Sequence, residues 1–117
     1  LDIPESVTRL GKDCLRNCQN LTEITLPGSV HTIDNGAFCG CSSLKEVVLP
    51  DSLVHLSGYL FFCCKSLEKV VLPKSLCGME RSTFDECPKL SALAVAPSEL
   101  DIFKTQFPEL ADKFVAL

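Results

Sequence analysis

The chain has 117 residues, 46% hydrophobic and 22% charged, with 11 basic and 15 acidic side chains and a net charge of −4. That length fits one domain, and the apolar content excludes intrinsic disorder. An acidic chain without a Lys/Arg cluster is poorly matched to nucleic acid or an anionic membrane surface, and no apolar run approaches the ~18 residues of a membrane span.

The chain opens at Leu1 without a signal peptide, so it reads as a processed or excised piece, with Leu1–Pro4 as half a strand. From there a 23-residue period runs through Pro4, Pro27, Pro50 and Pro73. Six columns keep the same register. They are Cys18, Cys41, Cys64 and Cys87; Leu15, Phe38, Phe61 and Phe84; Leu21, Leu44, Leu67 and Leu90; Ile24, Val47, Val70 and Leu93; Val7, Val30, Leu53 and Leu76; and Leu10, Ile33, Leu56 and Met79.

Each unit has three pieces. The first, as in Leu44–Pro50, is a brief β-branched strand that proline stops, because proline has no N–H to donate. The second is Ser-Val-x-x-Ile, as in Ser29–Ile33, apolar at both ends. The third, as in Asp34–Cys41, begins with a capping or turn residue and is expected to hold about one helical turn. A unit this short cannot bury its own apolar face, and stacking neighbours do so, which makes a solenoid.

These residues resemble the leucine-rich repeats, and more narrowly the BspA-type, or Treponema pallidum-type, variant. Its unit reads Leu-x-x-Ile-x-Ile-Pro-x-Ser-Val-x-x-Ile-Gly-x-x-Ala-Phe-x-x-Cys. The second repeat matches at Leu21, Ile24, Leu26, Pro27, Ser29, Val30, Ile33, Ala37, Phe38 and Cys41. It departs at the Gly slot, which holds Asp34, against Gly11 in the first repeat. The Ala-Phe slot holds Cys14-Leu15, Leu60-Phe61 and Thr83-Phe84 in the other repeats. The resemblance implies an α/β leucine-rich-repeat right-handed solenoid of about four turns with a short parallel sheet. It also implies surface or secreted adhesion-like proteins of bacteria and parasitic protists, which bind host extracellular proteins.

The last twenty residues leave the period. Ser98 reads as an N-cap before an acidic first turn. Leu100, Phe103 and Phe107 follow at helical spacing. Pro108 suits the first position of a second short helix whose apolar face is Leu110, Ala111 and Phe114. Val115–Leu117 is a candidate final strand. The segment resembles the C-terminal cap of BspA-type arrays. The chain therefore divides into a repeat array, 1–97, with repeats beginning near 4, 27, 50 and 73, and a helical cap, 98–117.

Eight cysteines are present, about 7% of the chain and just short of a disulfide scaffold. The column Cys18, Cys41, Cys64 and Cys87 repeats at the ~4.8 Å strand spacing. That lies within reach of a disulfide, but in-register side chains point the same way, so a ladder of buried free thiols is expected. Cys14, Cys39, Cys63 and Cys77 fall in four other columns, and their spacing fits no common zinc pattern. His31 and His55 sit at outward positions with no nucleophile held beside them. No catalytic or phosphate-binding motif occurs, so no enzyme, cofactor or metal site is expected.

The outward column of the strands is Thr25, Val48, Val71 and Ala94, a small apolar stripe on the open face of the sheet. Lys45 faces Glu68 beside it, and Glu46 faces Lys69. Neighbour pairs of this kind either only stabilise the sheet or border a modest protein-binding face. The reading favoured is a protein-recognition or adhesion module with a protein partner and further upstream repeats of the same chain. Two others are a structural spacer in a longer array, and a thiol redox or metal site on the Cys columns.

Overall fold

The computed structural model describes residues 2–117, so the half-strand expected at Leu1 begins outside the described residues; Asp2–Pro4 form no strand. The Leu-x-x-Ile/Val-x-Leu pieces make four short strands: β2 (Glu23–Thr25), β4 (Glu46–Val48), β6 (Lys69–Val71) and β8 (Ala92–Val95). They pair in parallel in the register the 23-residue period dictates, Ile24 against Val47, Val47 against Val70 and Val70 against Leu93. These four side chains point inward and are buried. The ladder continues one residue past the strands, where Leu26, Leu49 and Leu72 donate N–H to the carbonyls of Val48, Val71 and Ala94 at 2.9–3.0 Å. The prolines at 27, 50 and 73 then end it.

The Ser-Val-x-x-Ile pieces form a second side of the coil: β1 (Arg9–Leu10), β3 (Thr32–Ile33), β5 (His55–Leu56) and β7 (Gly78–Met79). Here the pairing is broken into two two-stranded ladders, β1 with β3 and β5 with β7. Between them the hydroxyl of Ser57 donates to the Ile33 carbonyl and that of Ser52 to the Val30 carbonyl. Arg9 and Asp34 form an ion pair across the first ladder.

The third side differs from the expected helical turn. In the first three repeats it is a run of turns, and only the fourth holds a 3-10 turn, Arg81–Phe84. Two positions in each of the first three repeats, and one in the fourth, take the left-handed backbone conformation: Asp13, Gly36 and Tyr59 in one column, and Asn17, Gly40, Cys63 and Glu86 in the other, with φ of 55–74°. This curls the chain so that alternate N–H groups face the next repeat. Leu15 donates to the Ala37 carbonyl, Phe38 to Leu60 and Phe61 to Thr83, at 2.9–3.1 Å. A continuous helix would have turned those N–H groups inward on itself. Glycine suits this conformation at Gly36 and Gly40, where a Cβ would also collide with the side chains of Asp13 and Asn17.

The Phe column fills the centre. Phe38 and Phe61 stack with centroids 5.5 Å apart and planes 8° from parallel, and Phe61 and Phe84 stack at 5.5 Å and 5°. Phe38 and Phe61 are fully buried. The ends of the array depart from the expected core: Leu15 and Cys18 in the first repeat and Phe84 and Cys87 in the fourth are only part-buried, because each has a stacked neighbour on one side. Thr83 is fully buried, and its hydroxyl is satisfied by the Ser57 carbonyl at 2.9 Å.

Beyond the array come a 3-10 turn at Pro97–Glu99, the helix α1 (Leu100–Gln106), a second 3-10 turn at Pro108–Lys113 opened by its proline, and the strand β9 (Phe114–Ala116). Ser98 lies inside the first turn rather than at the helix cap. Glu99 holds the cap position with no side-chain hydrogen bond, because Pro97 starts the turn two residues earlier. β9 adds in parallel to β8, Leu93 against Phe114 and Ala94 against Val115, giving a five-stranded sheet in the order β2-β4-β6-β8-β9.

Candidate functional site

Strand alternation places Glu46 with Val48, and Lys69 with Val71, on the outward face of the sheet. Glu46 and Lys69 are register partners, and their charged groups approach to 3.9 Å. Lys45 and Glu68 are exposed beside them and are joined through the backbone, the Glu68 N–H donating to the Lys45 carbonyl at 2.9 Å. Exposure along the apolar column falls from Thr25, which is exposed, through half-buried Val48 and Val71. Ala94 is only 1% exposed and drops out of the expected face. Its methyl group lies between Val71 and Val115 on the two flanking strands, and both are larger.

Val48 lines two clefts, one on this face and one at the C-terminal ends of the strands. One, of about 390 Å³, is lined by Thr25, Glu46 and Val48 together with Asp2 and Glu23. The other, of about 470 Å³, is lined by Val48, Val71, Leu49, Leu72 and Leu117 among others. The alternation of the strands was legible in the sequence. The clefts were not, because one depends on Asp2 of the N-terminal segment and the other on the loops after the prolines and on Leu117 at the returning C-terminus.

All eight cysteines are free thiols. The Cys column makes a hydrogen-bonded ladder that sequence reasoning missed. The Cys41 thiol donates to the Leu15 carbonyl at 3.1 Å, Cys64 to Phe38 at 3.1 Å and Cys87 to Phe61 at 3.0 Å. Each thiol thus ties its turn to the Phe column of the turn before. The only available signal was the constant three-residue offset between the Phe and Cys columns. Burial pushes the Cys41 and Cys87 thiols up to about 11 and raises that of Cys64 as well. Burial also raises Cys14 and Cys39. Raised values disfavour the thiolate, the form that attacks disulfides and binds metals. Among the described residues no three His, Cys, Asp or Glu side chains converge as a metal site. His31 and His55 are exposed; His55 Nε2 lies 4.0 Å from Glu80.

A thiol reagent at neutral pH should modify the exposed Cys14 and Cys77 first and reach Cys41 and Cys64 only on unfolding. The folded protein holds Cys41 and Cys87 protonated above the ordinary thiol value of 9.0. Their contribution to stability is therefore complete below pH 9 and is lost as pH rises toward 11. Urea midpoints measured from pH 7 upward should be flat and then fall over that window. Rapid labelling of native Cys64, or two disulfides in an intact mass, would contradict the ladder.

A parallel sheet of one strand per 23 residues, a Phe stack and stacked turns define a leucine-rich repeat solenoid. The chain belongs to the BspA type leucine rich repeat family, which matches residues 1–109 in six copies. The match reaches into the helical segment after 97. No curated protein matches the chain. Among solved structures, the pneumococcal vaccine antigen PcpA has a TM-score of 0.73 at 23% identity, over 79% of this chain and 23% of PcpA. A leucine rich cell surface protein from Faecalibacterium prausnitzii has a TM-score of 0.63 at 24% identity, over 85% of this chain and 33% of its own. At these identities the likeness is one of fold, and the chain spans about a quarter to a third of the length of those proteins. Among the described residues no helix is long and apolar enough to cross a membrane.

Proposed function

We propose that the chain is a protein-recognition module of a larger surface or secreted leucine-rich repeat protein, and that it binds through the open sheet face. The carrying observation is the outward, half-buried pair Val48 and Val71, which line a common cleft and are bordered by Lys45, Glu46, Glu68 and Lys69. Core packing does not require valine there, since Val47, Leu49, Val70 and Leu72 already fill the inside, and Thr25 holds the same slot one repeat earlier. Apolar centre and charged border are the composition of a modest interface, and the sheet surfaces of solenoids are extended binding surfaces. The surface or secreted location is supported by the similar structures, one a vaccine antigen and the other a cell surface protein.

The face is small against the ~800 Å² per partner of a standard interface. Further turns would enlarge it. The part-buried Leu15 and Cys18 of the first turn, against fully buried Phe38 and Cys41 of the second, leave room for such a turn to stack.

The test is a surface-immobilised chain presented to a panel of purified extracellular-matrix and serum proteins, alongside Val48→Lys/Val71→Lys. The wild type should retain a partner and the double variant should not. The variant should stay folded, because lysine stems lie along apolar surface with the charge in water. The β-propensity loss should stay within about 1 kcal/mol per site. Equal retention by both proteins removes the sheet face as the site. Retention by neither favours a structural spacer.

A further inference from the structure

The ring stack at the centre of the array ends unfinished. One period beyond Phe84 stands Phe107, and Leu110 likewise continues the column of Cys18, Cys41, Cys64 and Cys87. The cap is therefore a degenerate fifth turn, and it carries Phe107 elsewhere. The Phe107 ring packs 6.1 Å from Phe103 and 6.4 Å from Phe114, in the cap's own aromatic cluster. A cleft of about 450 Å³ lies between the last repeat and the cap, lined by Met79, Phe84, Phe107 and Leu110. Phe84 has Phe61 stacked on one face and remains part-buried, unlike Phe38 and Phe61. Its rim carries three carboxylates, Glu80, Asp85 and Glu109, against the single guanidinium of Arg81.

We propose that this cleft is a second recognition site, independent of the sheet face, which takes an aromatic side chain of a partner polypeptide flanked by basic residues. The volume is that of a ligand pocket. A planar ring set against Phe84 gains the stacking that Phe61 gives on the other side, which an aliphatic side chain cannot reproduce. The carboxylates sit on two elements, Glu80 and Asp85 around the fourth-repeat turn and Glu109 on the cap turn. Cations on both sides of the ring meet both, as in a basic–aromatic–basic segment. Of these carboxylates, Glu80 also faces His55 at 4.0 Å, which leaves Asp85 and Glu109 as the main attraction.

The chain contains no Trp, so a blocked Lys-Trp-Lys peptide is a reporter free of protein tryptophan signal. Titration should give saturable, blue-shifted emission that weakens by about fivefold or more between low salt and roughly 0.5 M NaCl. A Glu-Trp-Glu peptide should bind about tenfold more weakly or not at all. Lys-Leu-Lys should not displace the probe, and tryptamine should bind more weakly than the peptide. Met79→Phe, which fills the slot, should lose about fivefold or more in affinity. Should that variant not fold, the surface variant Glu80→Gln/Asp85→Asn/Glu109→Gln should show the same loss. Val48→Lys/Val71→Lys should bind the probe normally, so that failure of the sheet face and failure of this site are distinct results. Absence of saturable binding, equal binding of Glu-Trp-Glu or of tryptamine, or indifference to both cleft variants would overturn the assignment.

Discussion

Phe61→Ala should remove about 4–5 kcal/mol, the largest effect of any single substitution in the array. Phe61 is fully buried between two parallel rings, each with its centroid 5.5 Å away. Truncation at a buried phenylalanine typically costs about 3–5 kcal/mol for transfer and cavity together. Here two stacking partners lose their contact as well, which places Phe61 at the upper end of that range. The site cannot collapse readily, because Phe61 N–H and carbonyl are both held, the first by Thr83 and the second by the Cys87 thiol. Domains of this size have about 5–15 kcal/mol in all, so the variant should lie at the edge of folding. Phe84→Ala should cost roughly half as much, since that ring is part-buried and has one stacking partner. Urea titrations of the two variants check the ranking. A loss below about 1 kcal/mol at Phe61 would mean that the column is not the core.

The period made the sheet legible down to single residues. Identical spacing of Ile24, Val47, Val70 and Leu93 leaves one parallel register that buries all four, and a slip by one would have turned Thr25 and Val48 inward. The third piece of the unit was misjudged because Asp34-Asn-Gly carries signals for a helix cap and for a turn alike. What decides between them is cross-repeat hydrogen bonding, which no local pattern contains. The clue lay in the columns themselves: the slot of Gly36 is taken by Asp13 and Tyr59, and that of Gly40 by Asn17, Cys63 and Glu86. A position that alternates between glycine and polar residues suits a left-handed backbone better than a helix interior.

The candidate face was legible in part for the same reason. Which side chains point outward follows from alternation, and the strands turn Val48, Val71, Glu46 and Lys69 away from the core. How deeply they sit depends on neighbours that alternation does not specify. Ala94 is lost from the face because β9 brings Val115 alongside it. The cleft beside Phe84 lies where the C-terminal segment runs two residues short of the period, pairing Phe114 with Leu93 where the period would have placed Ala116. The same shortening draws Phe107 into the cap's own cluster.

That shortened turn should be indispensable. Truncation after Pro97 is expected to abolish soluble monomeric protein. It removes the edge pairing of β8, where Leu93 and Val95 lie in register with Phe114 and Ala116. It also removes the Leu117 N–H from the Val95 carbonyl, 2.8 Å away, and the Lys113 ammonium from the Leu90 carbonyl at 3.1 Å. Phe103 and Phe114, 2% and 4% exposed, leave the core together. Two buried aromatic side chains at about 3–5 kcal/mol each equal or exceed the lower half of the stability range of such a domain. The uncovered surface is the apolar end of a solenoid beside an unpaired parallel strand, a template for adding another chain. Gel filtration and light scattering of residues 1–97 should therefore find aggregate or no soluble product. Phe103→Ala in the full chain should show a milder version, a loss of about 3–4 kcal/mol with the monomer retained. A soluble monomer of residues 1–97 with an unchanged melting temperature would show that the array closes itself at Val95, and that residues 98–117 serve something other than its end.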